Sequence, residues 1–393
     1  MKNKIGTYTR PKLSVLMVST YPPDRDGIAS YTARLENALK VENITIRITA
    51  NGRDWKRNSS TYIFSIIRNA ITSKACIVHI QLSYFMFGNE YYSGLFPLLL
   101  MSLKLLGKRV VITLHDIVQK STVNDDFLKN HTTSRFLGFK RWALYYYTRI
   151  VCSMADKVII HSEIAQNVLN QDYAVPQEKI QVIPHGINQV SLIGNENRCR
   201  HKSSMDNDRK IVTYFGLVRH GKGLEDLVKA WKKVRNANAQ LLIIGGKHPV
   251  LVDNCYENLV KLTKELQLES SIRFCGHVPD EVLHPYLAKS DVFVFPYNEW
   301  GDVIASSGAL SIVAPYLKPI IATDVPAFVQ LKNLGAAVIV KKGDIDSIAS
   351  AIMEVLTNTQ TRNTLVSKLS NWLPDLSWLN VAEKTVALYR DLL

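Results

Sequence analysis

Short, nearly continuous apolar runs of strand length recur along this chain, each followed by a helix-length segment with its apolar residues on one face. That alternation limits the fold more than any other feature. Strands apolar on both faces belong to parallel sheets with helices packed above and below. The first run, residues 13–19, passes through a Tyr21-Pro22-Pro23-Asp24-Arg25-Asp26-Gly27 loop into a helix expected over 28–40. Further strands are expected at 77–81, 110–114, 156–162 and 180–183. A polar stretch with few apolar residues follows at 194–210, and a second series then begins. It has strands at 211–216, 240–245, 271–275, 292–295 and 319–323, with helices at 224–234, 254–268 and 281–288. The last segment repeats apolar residues at helical spacing through Trp378, Val381, Ala382 and Val386.

The expectation is an α/β protein of two Rossmann-like domains, over 1–190 and 211–375, with a linker over 191–210 and a final helix over 376–393. A length of 393 residues suits two domains. The five cysteines form no C-x-x-C pair, so neither a disulfide framework nor a zinc cage is expected, and a reducing cytoplasm fits. No signal peptide is expected. The most apolar segment, 94–107, is shorter than the roughly 20 residues a bilayer span needs and reads as a buried helix. The net charge of +14 is concentrated in the first half. Such a surplus suits an anionic lipid surface or a phosphorylated substrate. No recognised nucleic-acid-binding motif is present, so nucleic acid is not an expected partner.

Chemistry is concentrated where strands end. At Tyr214-Phe215-Gly216-Leu217-Val218-Arg219-His220-Gly221-Lys222-Gly223 a strand runs into a basic, glycine-rich loop and then a helix. Helix starts offer unsatisfied N–H groups and a positive dipole end, glycines permit close approach, and Arg219 and Lys222 add two cations. Phosphate binding is the function such a loop can serve. Gly27 and His115, with Asp116 beside it, stand at the ends of first-half strands, where open α/β sheets bind ligands. His185 occupies a similar loop near the domain boundary. Glu299 follows a second-half strand, and Ser306, Ser307 and Gly308 open a helix that Pro315 should shorten or kink. The segment from Arg135 to Arg149 mixes cations with Trp142, Tyr145, Tyr146 and Tyr147, a composition shared by interfacial membrane helices and by ordinary packed surface helices.

Taken in order, several of these motifs resemble glycosyltransferase family 4. They are Tyr21-Pro22-Pro23 with Gly27-Ile28-Ala29, Val78-His79-Ile80-Gln81, Thr113-Leu114-His115-Asp116, Ile183-Pro184-His185-Gly186-Ile187, Phe215-Gly216 with Lys222-Gly223, and Ser306-Ser307-Gly308-Ala309-Leu310. The resemblance covers nearly the whole chain. It implies a GT-B fold, two Rossmann-like domains facing each other across a cleft, with the last helix crossing back onto the first. It further implies retaining transfer of a hexose from a nucleotide-diphosphate sugar to a glycan or lipid-linked hydroxyl, in surface polysaccharide or glycolipid synthesis. By the same resemblance Gly27 lies by the donor diphosphate, His115 near the transferred sugar, and Arg219 and Lys222 on the leaving diphosphate. Gly216, Ser306, Ser307 and Gly308 hold the donor, Glu299 serves the catalytic centre, and no metal is required. Where the family commonly has two glutamates eight residues apart, this chain has Glu299 and Ser307, the form of a Ser-Ser-Gly subgroup. The implied setting is cytoplasmic, with peripheral contact at the inner face of the membrane. Two other readings stay open on the residues: a relative of the same fold that alters a nucleotide sugar without an acceptor, such as an epimerase, and a non-catalytic sugar receptor or membrane-surface scaffold.

Overall fold

The structure is a computed structural model and describes residues 13–24, 26–42, 44–50, 59–84, 86–87, 90–123, 137–187, 209–234, 238–247, 254–298 and 303–393. It divides into two compact units, Met1–Pro184 with Trp378–Leu393, and His185–Ser377. The expected linker lies outside the described residues from 191 to 208.

The first unit is built on a six-stranded sheet. Its elements are β1 (Ser14–Val18), α1 (Gly27–Val41), β2 (Thr45–Thr49), α2 (Thr61–Thr72), β3 (Ile77–Leu82), α3 (Phe96–Leu105), β4 (Arg109–Leu114), α4 (Leu137–Met154), β5 (Lys157–Ile160), α5 (Glu163–Tyr173) and β6 (Ile180–Val182). The strands are parallel in the order β2-β1-β3-β4-β5-β6. Every residue of β3 is buried, including the polar His79 and Gln81. Buried polar groups need partners, and His79 has them: Nδ1 lies 2.5 Å from the Tyr389 hydroxyl and Nε2 lies 2.7 Å from Thr113 Oγ1. Burial pulls His79 down to about 3, so it is neutral near pH 7. Tyr389 belongs to the C-terminal helix Trp378–Asp391, whose Val381, Ala382 and Val386 share one core with Leu35 and Leu39 of α1.

The 94–107 segment departs from the buried helix expected of it. In α3 only Phe96, Leu99, Leu100 and Leu103 face the interior, while Leu98, Met101 and Leu105 are exposed. The sheet contacts one side of a helix laid on it, so an all-apolar sequence leaves its other side uncovered.

The second unit has β7 (Lys210–Phe215), α6 (Leu224–Lys233), β8 (Ala239–Ile244), α7 (Cys255–Glu265), β9 (Ile272–Gly276), α8 (Asp280–Lys289), β10 (Val292–Phe295), α9 (Gly308–Val313), β11 (Ile320–Thr323), β12 (Val338–Val340), α10 (Ile345–Thr357) and α11 (Thr359–Trp372). Its six strands are parallel in the order β9-β8-β7-β10-β11-β12. The direction of winding reverses between β7 and β10, and ligands of open α/β sheets bind beyond the carboxyl ends of strands at such a point. Helix α9 stops at Val313 and tightens into a 3₁₀ turn over Ala314–Tyr316, as the missing N–H of Pro315 demands.

Candidate active site

In the second unit the loop after β7 is held by its backbone. Gly216 has φ +143°, and a Cβ there would lie 3.2 Å from the Tyr214 hydroxyl and 3.6 Å from Ala309 Cβ of α9. The buried Tyr214 hydroxyl donates to the Leu217 carbonyl at 2.9 Å, and Val218 N–H donates to the Gly246 carbonyl at 2.9 Å. Gly221 accepts from Asn298 N–H at 3.1 Å, and the Asn298 side-chain amide donates to Asp226 at 3.1 Å. Gly223, at φ +65°, is the N-cap of α6 and uses no side chain to cap it. The loops leaving β7 and β10, one on each side of the switch point, are thereby locked together.

Arg219 and Lys222 stand half-buried on this frame. The Lys222 ammonium sits 3.6 Å above the centre of the Tyr297 ring, a cation–π contact. Burial lowers the Lys222 pKa and the nearby Arg219 charge lowers it further, while Tyr297 opposes both. Two cations are thus held close in a partly dehydrated place, where an anion would relieve their repulsion. Glu225 and Asp226 lie in the first turn of α6, so the positive balance rests on Arg219 and Lys222. The Tyr297 hydroxyl reaches Ser307 Oγ at 3.3 Å, and Ser307 caps α9 by accepting from Leu310 N–H at 3.2 Å. Ser311 Oγ lies 2.9 Å from His185 Nδ1, which brings His185 beside α9. Ser306 is half-buried, and a Cβ at the exposed Gly308 would meet nothing within 4 Å.

The structure therefore brings together Gly216, Arg219, Lys222, Ser307 and His185. Tyr297, the platform under Lys222, has no motif around it in the sequence; a tyrosine two residues beyond an apolar strand is its only signal. Glu299 lies outside the described residues.

In the first unit, Gly27 opens α1, where Asp26 accepts from Ala29 N–H at 2.7 Å and from Thr20 at 2.9 Å. A Cβ at Gly27 would meet no atom within 4 Å. His115 Nε2 lies 2.8 Å from the Gln81 amide oxygen, and the His115 ring is edge-on to Tyr31 at 4.9 Å. An amide oxygen accepts, so His115 donates to it from Nε2. Gln81 belongs to the Val78-His79-Ile80-Gln81 motif, but nothing in the sequence pairs it with His115.

Asp116 accepts from Ser83 Oγ at 2.8 Å and from Tyr84 N–H at 3.3 Å. Burial raises its carboxyl from 3.8 to about 6. A raised carboxyl favours the protonated fold, so its contribution is fully present below pH 3.8, falls as pH rises to about 6, and is level above. In Asp116→Asn that component is expected to vanish. Urea unfolding at pH 4.5 and 7 should show the variant gaining on the wild type by about 1–3 kcal/mol at the higher pH. A difference independent of pH would contradict the raised pKa.

Two parallel six-stranded α/β units, the second carrying a basic glycine loop at its switch point, define the GT-B class. The family model described as Glycosyltransferase Family 4 matches residues 25–189, and that described as Glycosyl transferases group 1 matches 209–358. The chain belongs to the glycosyltransferases of GT-B fold. Among relatives, the uncharacterized glycosyltransferase MJ1607 of Methanocaldococcus jannaschii is 26% identical over 60% of this chain and 60% of its own length. The capsular polysaccharide biosynthesis glycosyltransferase CapM of Staphylococcus aureus is 26% identical over 58% of this chain and 59% of its own. The matches thus span about three fifths of each of these relatives. Among solved structures, a glycosyltransferase from Rickettsia africae has TM-score 0.70 at 17% identity, covering 98% of this chain and 99% of that one. HepE of Anabaena, in complex with UDP-glucose, has TM-score 0.65 at 12% identity, covering 96% and 100%. Likeness at that identity shows the fold alone. No helix among the described residues is long and apolar enough to cross a membrane.

Proposed function

We propose that this protein is a retaining glycosyltransferase that moves a hexose from a nucleotide-diphosphate sugar to a hydroxyl of a glycan or lipid-linked acceptor, in surface polysaccharide or glycolipid synthesis. The observation that carries the proposal is the pair Arg219 and Lys222 on the switch-point loop, with the Lys222 ammonium fixed over Tyr297. As the sugar–phosphate bond breaks, negative charge grows on the leaving diphosphate, and cations aimed there stabilise the transition state more than the ground state. Gly216, Ser306, Ser307 and Gly308 line the donor side in this reading. Gly27 takes the diphosphate from the first unit, His115 takes the transferred sugar, and Glu299 is included on the resemblance alone. The Ser-Ser-Gly form leaves ribose recognition to groups other than a second carboxylate. A lipid-linked acceptor goes with peripheral contact of the 135–149 segment, Arg135 to Arg149, at the inner face of the cell membrane.

CapM, which acts in capsular polysaccharide biosynthesis, and the UDP-glucose complex of HepE support the choice of pathway and donor class. The test is a screen of UDP- and GDP-sugars with product analysis, run with and without acceptor. Net transfer to an acceptor with retained anomeric configuration is expected, and turnover should survive chelation by EDTA because the two side-chain cations neutralise the diphosphate. Interconversion of the donor sugar without acceptor, or inversion, would overturn the reading. Complete loss of activity in EDTA, restored by magnesium, would overturn the metal-independent part.

A further inference from the structure

Three helices of the first unit, α2, α3 and α4, contain no aspartate or glutamate over their 12, 10 and 18 residues. They do contain Arg68, Lys104, Lys140, Arg141 and Arg149. α2 and α4 both pack against α3, so the three form one continuous layer. Each buries one stripe: Tyr62, Ile66 and Ala70 on α2, and Phe96, Leu99, Leu100 and Leu103 on α3, are inside. The opposite stripe is where a water-facing helix places its charges. Here it is apolar instead. Phe64 (72% exposed) and Ile71 flank the exposed Arg68 on α2, Leu98, Met101 and Leu105 (81%) run along α3, and Trp142 (58%) stands on α4. Half of the exposed large apolar side chains among the described residues lie on these three helices.

We infer that this layer is a docking face for an anionic lipid surface. Contiguous exposed apolar patches on soluble proteins mark interaction sites. Aliphatic and aromatic side chains interspersed with cations, in helices without acids, are what shallow insertion among acyl chains beneath anionic headgroups requires. A second copy of the chain fits poorly, because a two-fold contact would set this acid-free basic face against itself. Lys104 is paired with Asp156 at 2.7 Å, so among the described side chains attraction at distance falls to the exposed Arg68 and Arg149. The proposal widens the Arg135–Arg149 reading from one segment to a three-helix face, and rests on the surface chemistry rather than on the transfer reaction.

The experiment is flotation of the full chain with phosphatidylcholine vesicles, with and without about a third phosphatidylglycerol. Binding is expected to the anionic vesicles only, and to weaken in high salt. Leu105→Glu with Trp142→Glu, both at exposed positions, should lower vesicle binding by about tenfold or more, and Arg68→Glu by about fivefold or more. Val282→Glu with Leu334→Glu, exposed in the second unit, should leave it unchanged. Thermal stabilisation by UDP and GDP, read on each variant, reports the donor site separately and is expected to be untouched, so failure of either claim is visible alone. Equal binding to neutral and anionic vesicles, no vesicle binding, or equal loss in the second-unit control would overturn the proposal. So would a dimer dissolved by Leu105→Glu in a protein that ignores vesicles.

Discussion

Lys222→Ala is expected to lower turnover by about 10²–10³ while the protein stays folded, because one preorganised donor to a developing oxyanion is typically worth that much in rate. The ammonium lies over Tyr297 in a place where burial already disfavours its charge, so deleting it relieves as well as removes. Loss of the cation–π contact costs about 0.5–2 kcal/mol. The melting temperature should therefore move by only a few degrees. Steady-state kinetics and circular dichroism on the same preparation check both parts. Turnover within about threefold of the wild type would remove Lys222 from the reaction.

Gly223→Ala has the largest expected effect on stability. Its backbone sits at φ +65°, which costs an L-residue about 1–2 kcal/mol. The added Cβ would also lie 1.7 Å from the Pro296 carbonyl oxygen, a backbone atom at the end of β10 that cannot turn aside. Either the loop with Lys222 or the end of β10 must move. A loss of about 3 kcal/mol or more from the second unit is expected, together with weakened nucleotide binding. Gly308→Ala is the natural comparison, since its Cβ would enter open space and should change stability by less than about 0.5 kcal/mol. Urea unfolding of the two variants decides: equal stability would show that the β7 and β10 loops are not locked as described.

The parts of the fold that were legible in the sequence are those fixed by local periodicity. The fully buried β10, β4 beyond its exposed Arg109, and the largely apolar β3 announce themselves as short runs, and α6 as an apolar stripe behind a glycine. The end of α9 at Val313 followed from Pro315. What periodicity could not supply is which side of an all-apolar helix meets the sheet, so α3 read as wholly buried although Leu98, Met101 and Leu105 are outside. Partners distant in sequence were equally hidden: Tyr297 under Lys222, Gln81 against His115, and Tyr389 against His79 across 310 positions. Glycine spacing marked the loop between β7 and α6, but the need for glycine at position 223 is set by Pro296, which pattern alone does not connect to it.

The central claim is that Arg219 and Lys222 bind a diphosphate. Calorimetric titration of UDP or GDP against the matching monophosphate, on the wild type and on Lys222→Ala, tests it most directly. The account predicts that the diphosphate binds the wild type about tenfold or more tightly than the monophosphate, and that the advantage collapses in the variant, as loss of a charge-assisted contact of about 1.5–3 kcal/mol requires. Equal affinity for the two nucleotides in the wild type, or an undiminished preference in the variant, would contradict it.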